Sequence, residues 1–189
     1  MTIQRRQPIE AAMAAREHIP HRQARRQGGV MAGLFWITPE TVYLGAPPST
    51  TPSAVILTPD GLTAVGPQAG YWPWRHVSSV TVADVPAKTT TARSLARLFE
   101  VVLGPQSPTE MTVRVETTNG ASFGIGVHSA AASAYTIREA ALSQNLLDLF
   151  VQRRASPTML TDWLVRSPRS RAPRPAERES LLQRWTETP

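Results

Sequence analysis

Residues 111–127, MTVRVETTNGASFGIGV, restrict the fold of this chain more than any other stretch. Met111, Val113 and Val115 alternate with Thr112, Arg114 and Glu116, and Phe123, Ile125 and Val127 alternate with Ser122, Gly124 and Gly126. Two alternating runs around Asn-Gly read as an antiparallel hairpin. A two-residue loop would set Val115 opposite Gly124 and mix the faces. A three-residue loop, Thr118 to Gly120, sets Val115 opposite Phe123 and Val113 opposite Ile125. One face is then wholly apolar. Register follows burial, so the spacing predicts the longer loop, with Gly120 left-handed as a bulge.

Similar short runs fill the chain from Val30. LFWI and TVYLG flank TPE, AVILT and LTAVG flank PDG, and SVTVA and LFEVVLG follow. Seven or eight strands with turn chemistry between them predict a barrel or sandwich. After His128 the period changes to helical. Ser129 is a candidate N-cap, and Tyr135, Leu142, Leu146, Leu149 and Phe150 share a face. Thr136 to Glu139, TIRE, has capping-box spacing and offers a second starting point. The helix should run to about Arg153. SPTMLTDWLV predicts a short helix with Ser156 as cap. RSPRSRAPRPAE reads as a flexible basic linker, and ERESLLQRWTET as a last helical stub carrying Leu181, Leu182 and Trp185.

GYWPWRHVSSVTV, residues 70–82, breaks the strand period. Trp74, Val77 and Val80 are three apart, and Val80 and Val82 two apart. That spacing fits one tight turn leading into a strand. It makes Trp74 a core corner, and Pro73 marks an edge or strand end. Tyr71 and Trp72 are left as the candidate partner contacts of this stretch.

WPWRHVSSVTV resembles the pattern of bacterial pleckstrin-homology-like and GRAM-type domains, in which an aromatic closes one strand and a short turn leads to the next. GLFWITPETVYLGAPP and SAAASAYTIREA are similar to a group of uncharacterised actinobacterial proteins. The resemblance covers residues 34–153. It implies a mainly β fold: a barrel of about seven strands in two near-orthogonal sheets, plugged by one amphipathic helix, here with extra short C-terminal helices. It also implies that basic loops at the open end can hold anionic head groups. Lys88, Arg93 and Arg97, in the long connection after Pro86, are the anion-binding candidates on that ground.

The organisation expected is a basic flexible segment at 1–29, a domain at 30–153 and a basic Pro- and Arg-rich tail at 154–189. The net charge of +6 belongs to the ends: six Arg against two Glu in residues 1–29, and eight Arg against four acids in residues 152–189. The middle carries five Arg, one Lys and eight acids. A polyanion would therefore meet the tails first. Each basic residue near an anionic membrane contributes about 1 kcal/mol, and nucleic acid attracts the same charges through counterion release. Residues 1–29 lack aromatics for base stacking, and no recognition-helix signature is present.

With no cysteine in the chain, disulfides and thiolate chemistry are excluded. No apolar run approaches the roughly 20 residues of a membrane span, and no secretory signal is evident. A cytoplasmic location is the expectation. Glu17, His18 and His21 could ligate a metal only in a tail without supporting groups. GIGVHS, residues 124–129, imitates a phosphate loop, but its glycines keep strand alternation and most simply allow close approach of a neighbouring element. No serine sits in a nucleophile elbow, and no carboxylate pair stands out. The expected function is a non-enzymatic binding or scaffold module, without cofactor or metal, whose basic tails aid association with a protein partner. The alternative is a protein associated with nucleic acid or anionic membrane through its Arg-rich tails. Tyr71, Trp72, Leu181, Leu182 and Trp185 are the partner-binding candidates. The last three could equally dock on their own domain.

Overall fold

The computed structural model of the protein describes residues 28–48, 53–87, 110–131, 134–166 and 172–187. Six strands come first: β1 Val30–Ala32, β2 Phe35–Ile37, β3 Val42–Leu44, β4 Ala54–Leu57, β5 Gly61–Val65 and β6 Gly70–Pro73. Each pairs antiparallel with the next to form one meandering sheet. A second antiparallel sheet holds β7 Val77–Ala83, β8 Glu110–Thr117 and β9 Ser122–His128. The β8–β9 register sets Val113 opposite Ile125 and Val115 opposite Phe123. The loop has three residues, closed by Thr117 N–H donating to the Ala121 carbonyl at 2.9 Å, and Gly120 has φ +85°. Met111, Val113, Val115, Ile125 and Val127 are buried, but Phe123 is left 40% exposed at the open end of this face.

Between β6 and β7 the chain makes one 3-10 turn, Trp74–His76. Trp74 is 4% exposed. Its backbone N–H donates to the Asp60 carbonyl at 3.1 Å and its indole N–H to the Thr58 carbonyl at 2.9 Å. Both acceptors belong to the β4–β5 turn, so one residue ties that hairpin to the corner. Val77 and Val80 follow it into the core.

The strand count and closure differ from the barrel of about seven strands. Nine strands lie in two sheets among the described residues, and no ladder joins them into a closed barrel. Two strands account for part of the difference. Val30–Ala32 is only three residues long, and Gly70–Pro73 contains a proline and does not alternate. LFEVVLG lies outside the described residues. The sheets nevertheless cross. Phe123, early in β9, meets Trp72 of β6, with ring centroids 5.2 Å apart. At the other end the His128 carbonyl accepts from Ala46 N–H, just past β3, at 2.7 Å. β6 and β3 are three strand spacings apart, about 14 Å, and the chain from Phe123 to His128 spans about 17 Å. β9 therefore runs across the first sheet rather than along it.

Helix α1, Ile137–Val151, starts at a capping box. Thr136 Oγ1 accepts from Glu139 N–H at 2.9 Å, and Glu139 Oε2 accepts from Thr136 N–H at 2.8 Å. Of the two starts considered, the chain uses the second. Ser129 makes a local turn instead, accepting from Ala131 N–H and donating to the Tyr135 hydroxyl. Helices α2, Thr158–Arg166, and α3, Pro175–Glu187, follow. Leu160, Leu164, Leu181, Leu182 and Trp185 are buried in the same core as the sheets and α1. The segment expected to be a tail thus supplies core, with Trp163 and Trp185 packed edge to face at 5.3 Å. Arg178 Nε on α3 donates to the fully buried Glu139 of α1. The β1–β2 turn inserts beneath them. Gly33 has φ +57°, and a Cβ there would run into Ser143 Oγ and come within 2.7 Å of Leu182 Cδ1. Glycine is required at this point both for its backbone and for its lack of volume.

Candidate functional site at the sheet edges

Among the described residues the two open sheets have four edges, and an uncovered edge invites another strand. β1 is short and packs against α3. β7 is covered by α1, whose Gln144 acts as a substitute strand. Gln144 Nε2 donates to the Val80 carbonyl at 2.7 Å, and Gln144 Oε1 accepts from Val82 N–H at 3.3 Å. The remaining edges, β6 and β9, come together at the Trp72–Phe123 contact. β6 is four residues long and ends in Pro73, which has no N–H to offer.

On β9 the free backbone groups can be assigned from the ladder. Thr117 and Ala121 form a hydrogen-bonded pair. Antiparallel pairs alternate between bonded and non-bonded. Val115–Phe123 and Val113–Ile125 are therefore bonded pairs. Ser122, Gly124 and Gly126 turn their N–H and C=O groups away from β8, as His128 does when it accepts from Ala46. Ser122 and Gly124 are exposed and Gly126 is half-buried. Glycine at two of these positions removes the side chains that would shield the edge.

Beside this edge lies an aromatic corner. Tyr71 is 53% exposed, Phe123 is exposed and Trp72 half-buried. A Cβ on Gly70 would come within 2.7 Å of the Trp72 ring, so this glycine makes room for the indole. The strand reading separates the two candidates of this stretch. Tyr71 pairs with Thr63 and Trp72 with the buried Leu62, so they face opposite sides of the sheet.

The other candidates fall elsewhere. Lys88, Arg93 and Arg97 lie outside the described residues, as do Glu17, His18 and His21. Leu181, Leu182 and Trp185 are inside the fold, so of the two outcomes open for them the chain takes docking on itself. The physical reason is the ion pair and packing that hold α3 on α1. Among the described residues no three His, Cys, Asp or Glu side chains come together as a metal cluster, and no helix is long and apolar enough to cross a membrane. Comparison with family models, with curated proteins and with solved structures found no match.

A groove of about 490 Å³ lies where α1 ends, between Trp74, Phe150, Met159 and Pro59. Arg153 and Arg154 stand on its rim. Arg153 has φ +56° and closes α1 where glycine is usual: its N–H donates to the Phe150 carbonyl, and Arg154 N–H to the Leu149 carbonyl.

Two tyrosines titrate above their ordinary range because burial disfavours the phenolate: Tyr135, whose hydroxyl also accepts from Ser129 and Ala130, and Tyr43. Above about pH 10 the unfolded chain releases these protons while the folded chain keeps them. Stability is full below that pH and falls as pH rises further. Denaturant titrations between pH 8 and 11.5 should show this alkaline loss, and Tyr135→Phe should make it shallower. An equally steep loss in Tyr135→Phe would remove Tyr135 from the account.

Proposed function

We propose that the chain is a non-enzymatic binding or scaffold module of the pleckstrin-homology-like type. It would engage a protein partner at the corner between β6 and β9, with its arginine-rich ends aiding association. Crossed antiparallel sheets followed directly by an amphipathic helix support the family likeness. The observation that carries the binding role is the edge accounting. Two edges are covered by helices, whereas β9 leaves its outward backbone groups exposed at Ser122 and Gly124, beside Phe123 and its neighbour Trp72, with Tyr71 exposed on the other face of β6. Aromatic side chains of this kind are enriched in binding surfaces.

The test is affinity capture from native lysate, comparing the full-length chain with a Tyr71→Ser/Phe123→Ser variant. It is run at low and high salt, with nuclease and anionic vesicles as controls. Retention that survives salt and nuclease and is lost in the variant is expected. Retention that disappears with salt or nuclease and ignores the variant would move the role to the basic ends.

A further inference from the structure

We infer that the outer edge of β9 accepts an extended peptide as an added antiparallel strand and selects one reading basic–apolar–acidic. This deepens the binding role proposed above and rests on it. The outward backbone groups of Ser122, Gly124 and Gly126 supply the ladder. Strand addition gains affinity from such a ladder and specificity from alternate side chains.

The charges come from β8. Its outward residues lie beside the glycines of β9: Glu110 flanks the Gly126 position and Arg114 is directly opposite Gly124. At Gly126 the consequence is visible, because a Cβ there would run into Glu110 Oε1. The carboxylate thus lies over β9, in the space glycine leaves. At Gly124 the nearest side-chain atom to such a Cβ is Thr112 Cγ2 at 3.8 Å, so the space beside Arg114 is open. Arg114 is exposed, and no ion pair to it occurs among the described residues. An added strand would lie two spacings from β8, about 10 Å. A guanidinium on its long stem and a facing carboxylate together bridge that distance. In an antiparallel strand the residue beside Gly126 precedes the residue beside Gly124 by two. The peptide therefore places a basic residue near Glu110 and, two positions later, an acidic residue near Arg114. The residue between them points to the opposite face, where Phe123 and Ile125 lie.

The experiment uses the full chain and a fluorescein-labelled peptide, Thr-Val-Arg-Val-Asp-Val-Thr, blocked at its C-terminus. Saturable anisotropy is expected, with a form exchanging Arg and Asp binding about fivefold to tenfold more weakly. Glu110→Arg/Arg114→Glu should invert that preference. Methylating the peptide's Arg and Asp backbone nitrogens should abolish binding. Amide resonances of Ser122, Gly124 and Gly126 should shift on titration. Equal binding of both charge orders, or shifts confined to other residues, would overturn the inference. So would a concentration-dependent dimer that the peptide does not dissociate, since a second copy would then hold the edge. Lysate capture lost in Tyr71→Ser/Phe123→Ser, together with no peptide binding, would retain the module and reject only the added strand.

Discussion

Replacing Arg178 by alanine is expected to cost about 3–5 kcal/mol, the usual result of removing one partner from a buried ion pair. The side chains of Glu139 and Arg178 are 0% and 11% exposed. Without Arg178, the Glu139 carboxylate keeps, among the described residues, only the Thr136 N–H at 2.8 Å as a hydrogen-bond donor. Its charge would then face α3, a helix with few apolar residues and three of them buried. Because a domain of this size is stable by only about 5–15 kcal/mol, such a loss would release α3 before the sheets unfold. Trp185, Leu182 and the β1–β2 turn would then face water. Urea denaturation and protease sensitivity of residues 172–187 are the measurements. Glu139→Gln in the Arg178→Ala background should recover part of the loss, because a neutral amide still accepts from Thr136 N–H without leaving a buried charge. A cost below about 1 kcal/mol would show that apolar packing and the remaining polar contacts, Thr136 to Glu179 and Arg138 to Gln183, hold α3 without this ion pair.

The fold was legible where one physical requirement dominated. The 111–127 register follows from the need for one apolar face, and Thr136–Glu139 from the reach of two side chains within one turn. Tertiary partners decided the rest. β1 exists because β2 and α3 flank it, and nothing in Val-Met-Ala announces a strand. β6 carries a proline and no alternation, yet Leu62 and Thr63 have partners there. The docking of α3 brings together Glu139 and Arg178, which are 39 residues apart, and no local pattern encodes that meeting. The candidate site was half legible. Tyr71 and Trp72 stood out as leftovers of a broken period. In sequence the glycines of β9 read as allowing close approach, and the Glu110 carboxylate over Gly126 is such an approach, whereas Gly124 meets nothing nearer than Thr112 Cγ2 at 3.8 Å. That these glycines also bare an edge required knowing that β9 ends its sheet and that Gln144 covers the other side.

Trp74→Ala is expected to destabilise by about 3–5 kcal/mol, the range for deleting a buried large aromatic. Three elements meet on this side chain. The β4–β5 turn accepts its indole N–H at the Thr58 carbonyl, the chain turns into β7 directly after it, and Phe150 of α1 packs on its ring at 6.5 Å. Trp74→Phe separates these contributions. It keeps most of the ring packing but loses the indole N–H, leaving the Thr58 carbonyl without that donor, at about 1–2 kcal/mol. Tyr71→Ser, three residues away and exposed, should change stability by less than about 0.5 kcal/mol. The comparison divides two aromatic residues within GYWPW by purpose, and denaturation midpoints with unchanged slopes would measure it. Were Tyr71→Ser as damaging as Trp74→Ala, the exposed corner would be part of the fold's support, and its use as a binding surface would lose its basis. With the expected order, Trp74 carries the cost of joining two crossed sheets, which leaves Tyr71 and the β9 edge free to serve contact.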